Sequence, residues 1–238
     1  MDTPQTSGRD ILREFFKRWP AFYYFIAKVF GPVWFTGLNP VHFLEKYEQE
    51  GIKVNLGSGP RKIRADVMNV DGEPYTGVDV VADITSLPIE SNSVSMIICD
   101  NVLEHVPDSK KAVAEIYRIL KPGGVAYIST PFLYPFHSSP NDYHRWTDQG
   151  LRVLFSEFCM REMGVRSGIM SGFSIMLSYI FARAFSFGSD RMHWFLVNIA
   201  LFIFFPIKLL DIAFNLLPGG LKTASVLYCV IEKQNHGG

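Results

Sequence analysis

The chain has 238 residues, enough for one sizeable α/β domain with an appendage. Its 23 Lys plus Arg balance 23 Asp plus Glu, so no net field argues for a nucleic-acid partner. The three cysteines, Cys99, Cys159 and Cys229, are widely spaced and form no Cys-x-x-Cys pair, which points to reduced intracellular thiols rather than a disulfide framework.

Residues 1–50 form an N-terminal segment that is polar at first, then basic (Arg13, Lys17, Arg18), then aromatic (Phe22-Tyr23-Tyr24-Phe25-Ile26). Lys28 and Gly31-Pro32 interrupt the apolar run. It is therefore neither a signal-peptide core nor a full span of about 20 apolar residues, and an interfacial helix is expected.

Residues 51–166 carry the pattern of an α/β core. A first strand at 52–56 runs into Gly57-Ser58-Gly59-Pro60. A second, Val67–Val70, ends at Asp71, only fourteen positions after Gly57. A dinucleotide-binding unit places a full helix there and its acid about 20 positions on, so the first crossover is shortened and NAD is disfavoured. Val78–Val81 is the third strand, followed by Asp83, and Val94–Cys99 the fourth. The helix over Ser109–Leu120 sets Ala112, Ile116 and Leu120 on one face. Asp108 caps it and Lys121-Pro122-Gly123-Gly124 stops it. Val125–Ser129 is the fifth strand, and Thr147-Asp148 opens a helix reaching about Glu157. Met160–Val165 is the sixth strand and Ala224–Glu232, within residues 222–238, the last.

Residues 167–221 form a hydrophobic insertion before that last strand. Two uncharged stretches, Ser167–Ala182 and Met192–Ile207, flank Arg183 and the turn Gly188-Ser189-Asp190-Arg191. Each is shorter than a typical spanning helix, and a strand on either side forces the insertion to return to its starting side. A shallow membrane hairpin is expected, with two short crossings, a lid over the site or a dimer surface as the alternatives. The high aromatic load (20 Phe, 10 Tyr, 4 Trp), concentrated near the N-terminus and after residue 170, points the same way.

The candidate chemistry clusters at strand ends. Glycines at 57 and 59 let a backbone approach a ligand. Asp71 is placed to accept ribose hydroxyls, although Asp71-Gly72 is also a turn signal. Asp100 and Asn101 close the fourth strand, where open α/β sheets bind ligands. His105 is a candidate general base, with a structural histidine as the alternative. The loop His137-Ser138-Ser139-Pro140-Asn141-Asp142-Tyr143-His144-Arg145-Trp146-Thr147 leaves the sheet at the same edge. His137 and Tyr143 are the catalytic candidates there, and Asp142, His144 and Arg145 the acceptor-binding ones. Arg145 suits a carboxylate or phosphate, or an internal pair with Asp142. Glu104-His105 resembles the metal site of small-RNA 2′-O-methyltransferases, but that motif has another Glu where Asn101 stands, so no metal is expected.

In order, Gly57-Ser58-Gly59, Asp71, Asp83, Asp100-Asn101-Val102-Leu103-Glu104-His105-Val106 and Lys121-Pro122-Gly123-Gly124 resemble the class I S-adenosylmethionine-dependent methyltransferases, in their small-molecule, type-11-like branch. The His…Pro-x-Asp-Tyr-x-Arg-Trp-Thr loop resembles those of bacterial methyltransferases linked with cell-surface glycan synthesis. The resemblance covers roughly residues 50–165. It implies an α/β, Rossmann-like methyltransferase sheet with a shortened first crossover, and S-adenosyl-L-methionine as cofactor. It also implies that Asp83 accepts the adenine amino group and that the Ile84 N–H bonds a ring nitrogen. Asn55 replaces a frequent acid and is left to bond the loop or the donor amine; Arg61 replaces a frequent third glycine. The expected activity is methylation of an amphipathic or lipid-linked small molecule at the cytoplasmic membrane face, a glycolipid or polysaccharide precursor first and a quinone second. A non-catalytic cofactor-binding or membrane-adaptor module is the alternative, since fold alone does not fix function.

Overall fold

The computed structural model describes residues 36–137 and 141–234. The aromatic run Phe22–Ile26, expected at a membrane interface, lies outside the described residues. The described end of that N-terminal segment is not interfacial. Helix α1, Pro40–Lys46, is capped by the Asn39 side chain, which accepts from the His42 N–H, and starts on Pro40. Its Phe43 and Leu44 are fully buried against the sheet, so residue 50 is no boundary between anchor and core.

The sheet has seven strands, β1 (Ile52–Leu56), β2 (Val67–Asp71), β3 (Val80–Val81), β4 (Val94–Asp100), β5 (Leu120–Pro131), β6 (Cys159–Ser167) and β7 (Val226–Glu232). Their order is β3-β2-β1-β4-β5-β7-β6. The first five are parallel; β7 runs antiparallel between β5 and β6. The central strands are buried on both faces, which is why β4 reads as a continuous apolar run. Ile97, Cys99, Ala126 and Ile128 pack with Ala112 and Ile116 of α2 (Ser109–Ile119). Met96, Ile98, Val125 and Tyr127 pack with Phe43 and Leu44 on the other face.

No helix occupies the first crossover, residues 57–66, in agreement with its length. Charge and amide networks hold it instead. Lys53 pairs with Glu48 (2.9 Å) and Asp66 (3.1 Å), while Arg64 pairs with the same two acids. The Asn69 amide donates to the Arg61 and Gly77 carbonyls at 3.1 and 2.9 Å. Strand β5 starts five residues earlier than Val125, because the Gly123 N–H donates to the Lys233 carbonyl and Lys233 returns the bond to Gly124. Helix α3, Asp148–Leu154, is capped by Thr147 as expected but stops short of Glu157.

The insertion forms a helical hairpin. Helix α4 spans Ile169–Phe185, α5 spans Asp190–Leu209, and the short α6 covers Asp211–Phe214. Ser174 Oγ donates to the Phe204 carbonyl (2.9 Å), and the Tyr179 ring faces Trp194 at 6.0 Å, so α4 and α5 run antiparallel. At the root, the Asp211 carboxylate accepts from the N–H groups of Met170 (2.8 Å) and Ser171 (3.0 Å), capping α4. The pattern is inverted relative to a helix on a soluble core. The buried stripe of α4 is small and polar (Ser171, Gly172, Ser174, Ser178, Ala182), whereas Phe173, Met176, Ile180 and Phe185 face out. On α5, Phe195, Phe202 and Ile203 are more than half exposed.

The expectation of two segments too short to cross a bilayer fails for the second. Asp190–Phe214 is a helical stretch of 25 residues whose most apolar 18-residue window has mean hydropathy 2.1, long and apolar enough to span by length and composition. Pro206 does not end it, and Lys208 inside it is buried.

Candidate active site

The carboxyl ends of β1, β2, β4 and β5 set the site. After β1 the chain turns with Gly57 at φ +64° and Gly59 at φ +54°. A Cβ on Gly57 would lie 2.4 Å from the Val102 side chain, so the turn is pressed against the segment leaving β4. A Cβ on Gly59 would meet open space. The backbone there is left open for a ligand, and at both positions the left-handed conformation favours glycine.

Asp71 braces this turn. Its Oδ2 accepts from the Gly59 N–H (2.7 Å) and its Oδ1 from the Glu73 N–H (2.9 Å). Each carboxylate oxygen keeps a second lone pair, so both remain able to accept a ribose hydroxyl. Asp83 is exposed, with Oδ1 engaged by the Thr85 N–H at 2.8 Å and Oδ2 open, and Ile84 follows on the rim. Asp100 accepts the Ser129 hydroxyl in a short hydrogen bond, and Asn101 sits in the left-handed region at φ 57°. These open acceptors at successive strand ends fit a ligand with a ribose and an adenine. Asn55, expected to bond the loop or the donor amine, has its side-chain partner in β2 instead. It is buried and donates to Asn69 Oδ1 (3.2 Å), tying β1 to β2. Ser58 Oγ donates to the Gly59 carbonyl and rigidifies the turn.

The acceptor side is built around a residue absent from the expected site, Glu104. It is fully buried and neither carboxylate oxygen has a hydrogen-bond partner among the described residues. Burial pushes its carboxyl up to about 8, against a smaller opposing pull from the Arg145 charge. The imidazole Nε2 atoms of His105 and His137 lie 3.8 and 3.9 Å from Glu104 Oε1, and the two rings meet edge to face at 5.0 Å. His105 Nδ1 makes a short hydrogen bond to the Asn141 carbonyl. His137 Nδ1 lies 3.4 Å from Asp142 Oδ2. Burial lowers the His137 imidazole below its usual value while Asp142 pulls it back.

Three of the loop candidates serve the loop itself. Arg145 forms a bidentate pair with Asp142, and its remaining donors go to the carbonyls of Tyr134, Pro135 and His144. Burial raises the Asp142 carboxyl, but Arg145 and the His137 N–H outweigh it and hold the group down at about 2. No donor of Arg145 is left for an acceptor, which corrects the expected acceptor-binding role of this pair. His144 Nε2 lies 3.2 Å from the Pro107 carbonyl and its ring neighbours Trp146, so it too is structural. The Tyr143 N–H donates to the Glu104 carbonyl (2.7 Å), but its half-exposed ring stands beside His144 and its hydroxyl makes no hydrogen bond among the described residues. The structure brings His105 and His137 together and leaves Tyr143 outside the cluster.

An open apolar groove of about 560 Å³ begins two residues from His137. Pro135 forms one wall; Met176, Tyr179, Ile180, Ala184 and His193 of the hairpin form the other.

Removing Asp71 strips charge-assisted bonds worth roughly 1.5–3 kcal/mol each. Asp71→Ala is therefore expected to weaken S-adenosylmethionine binding by tens-fold in a protein that still folds, measured by calorimetry. Unchanged affinity there and in Asp83→Ala would displace the donor site from this edge.

Residues 55–128 match a family described as a methyltransferase domain. An uncharacterized methyltransferase of Mycobacterium sp. (strain JLS) is 35% identical over 103 residues, 42% of this chain and 39% of that protein. The chain thus spans about two fifths of the length of that relative. Among solved structures, Haemonchus contortus phosphoethanolamine N-methyltransferase 2 in complex with S-adenosyl-L-methionine superimposes with TM-score 0.50 at 15% identity, covering 94% of this chain and 60% of that one. The [4+2]-cyclase SpnF gives TM-score 0.50 at 15% identity, covering 80% and 79%. Sheet order and matched segment agree: residues 55–128 are similar to a methyltransferase domain, and the likeness to solved structures is one of fold.

Proposed function

We propose that the protein transfers a methyl group from S-adenosylmethionine to an amphipathic or lipid-linked small molecule at the cytoplasmic face of a membrane. The carrying observation is the Glu104–His105–His137 cluster after β4 and β5, at the same sheet edge as the donor residues, with Pro135, two residues before His137, lining the apolar groove. The donor residues (Gly59, Asp71, Asp83) stand at the ends of β1 to β3, and the groove is walled by the α4–α5 hairpin.

When bound, S-adenosylmethionine supplies an electrophilic methyl carbon on a sulfonium sulfur. The chain's own task is to place and prepare the acceptor, and positioning alone can supply several orders of magnitude. Asp71 and Asp83 offer oxygens to ribose and adenine, and the Gly57–Gly59 turn leaves its backbone open to the amino acid part. The Glu104–His105–His137 cluster meets the acceptor's polar end and takes up or withholds its proton. The groove takes the apolar part, excluding water from the junction. The outward apolar face of the hairpin rests in lipid, from which such an acceptor is delivered. A glycolipid or polysaccharide precursor combines a polar head for the cluster with a chain for the groove; a prenylated quinone is second.

The test is methyl transfer from labelled donor into a total membrane lipid extract by the full-length protein in detergent. Label is expected in the organic phase. Donor binding without label in any lipid or soluble fraction would favour the non-catalytic reading, a live alternative because this fold also serves a cyclase.

A further inference from the structure

We propose that Glu104, His105 and His137 form a site for one divalent transition-metal cation, which binds the polar end of the acceptor. Their ligating atoms all lie within 4.8 Å of one another. The Glu104–His105 and Glu104–His137 separations of 3.8 and 3.9 Å are too long for hydrogen bonds. They are close to what a cation requires, since ligands about 2.1 Å from a metal stand about 3.0–3.4 Å apart. A shift of well under 1 Å per side chain closes the site, on the order of a small rotamer adjustment.

Two independent features point to an occupant. Glu104 is fully buried, yet both its oxygens lack partners among the described residues. A buried carboxylate left so is costly unless it is paired or coordinates a metal. Both imidazoles are also held in the manner of ligands. Each has Nε2 within 4 Å of Glu104 Oε1; behind it, His105 Nδ1 hydrogen-bonds the Asn141 carbonyl, and His137 Nδ1 lies 3.4 Å from Asp142 Oδ2 and 3.5 Å from Arg145 Nη2. Such rear partners fix the tautomer and orientation of metal-binding histidines. The Arg145–Asp142 pair, unavailable to the acceptor, then holds the carboxylate that orients His137.

Two imidazoles and one carboxylate suit Zn²⁺, Fe²⁺ or Mn²⁺ rather than Mg²⁺ or Ca²⁺. Three protein ligands leave at least one position open. An acceptor hydroxyl or phosphate oxygen would fill it, and a hydroxyl bound there loses its proton more readily. In this proposal the loop after β5 supplies, through His137, the ligand that Asn101 does not.

The acceptor role rests on the proposed methyl transfer, but metal binding does not, and one set of titrations separates them. The full-length protein in detergent is stripped with chelator and titrated calorimetrically with Zn²⁺, Mn²⁺ and Mg²⁺, and separately with S-adenosylmethionine. One Zn²⁺ or Mn²⁺ per chain is expected, with Mg²⁺ weaker. Because rear partners alone carry 10- to 100-fold in affinity, His137→Ala and Glu104→Gln are expected to lose more than about 100-fold. Glu104→Gln serves as the folding control. It removes a buried, unpartnered carboxylate and is expected to melt no lower than the parent, with S-adenosylmethionine binding intact. No stoichiometric binding by the parent, or equal binding by His137→Ala, would overturn the metal site while leaving the donor reading standing. Loss of S-adenosylmethionine binding from the parent would instead strike the methyltransferase reading.

Discussion

His137→Ala and Glu104→Gln are each expected to lower turnover by about 100- to 10,000-fold while donor affinity stays unchanged. The cluster sits at the ends of β4 and β5, whereas Asp71, Gly59 and Asp83 follow β1 to β3. In the proposed reading, most donor contacts thus lie on other strands than the acceptor cluster. Glu104 also couples the two histidines through one buried carboxylate, so the double variant is expected to lose little more than either single one. Tyr143→Phe, which removes a hydroxyl with no hydrogen bond in the structure, is expected to keep most of its turnover. Initial rates with labelled donor and the lipid acceptor, beside a donor titration, check all four. Near-parental rates in both cluster variants would leave positioning alone as the source of catalysis.

The full chain is expected to sediment with membranes and to need detergent, and a chain with residues 168–221 replaced by a short linker is expected to be soluble and still bind donor. Burying a large apolar side chain fully contributes about 1.5–3 kcal/mol. Phe173, Phe195, Phe202 and Ile203 are each about half exposed. Covering these four alone then returns roughly 3–6 kcal/mol, a partition of two to four orders of magnitude. The excision is mild because Ser167 and Val226 are register partners across β6 and β7, so a tight turn can join them. The shortened chain loses one wall of the apolar groove and is expected to lose turnover on a lipid acceptor. A full-length protein that is soluble and monodisperse without detergent would refute the membrane reading and leave the lid or dimer reading.

Much of this architecture was legible in sequence because its signals are local. The Thr147 cap, the glycine stop after α2, the apolar run of β4 and the short step from Gly57 to Asp71 each depend on a few neighbouring residues. The site was legible in part for the same reason. Strand-end acids and glycines announce themselves, and His105 and His137 stand in polar, aromatic-rich segments. Glu104 did not, since its burial is created by a loop some forty residues later whose Tyr143 and His144 N–H groups dock on its carbonyl. Arg145 and Asp142 carry the same residue types whether they grip a ligand or each other, and only the carbonyls of Tyr134 and Pro135 decide between the two. The length of α5 was misread because Pro206 and Lys208 look like breaks. In the structure Lys208 is buried in the hairpin and the helix continues past both.

The Asp211 carboxylate that closes the hairpin root has a mechanical meaning. It joins the returning end of the insertion to its outgoing end, and Gly168 is indispensable there, because a Cβ would fall 2.2 Å from Asp211 Oδ1. Both ends of the stem are thus fastened at one point on the sheet, with no slack between them. On a bilayer, the tilt of the stem then becomes the tilt of the sheet. In the proposed membrane-bound state, the depth at which Phe195 and Phe202 settle would set how far the groove mouth stands from the lipid headgroups, and height above the membrane would select the acceptor as well as fit.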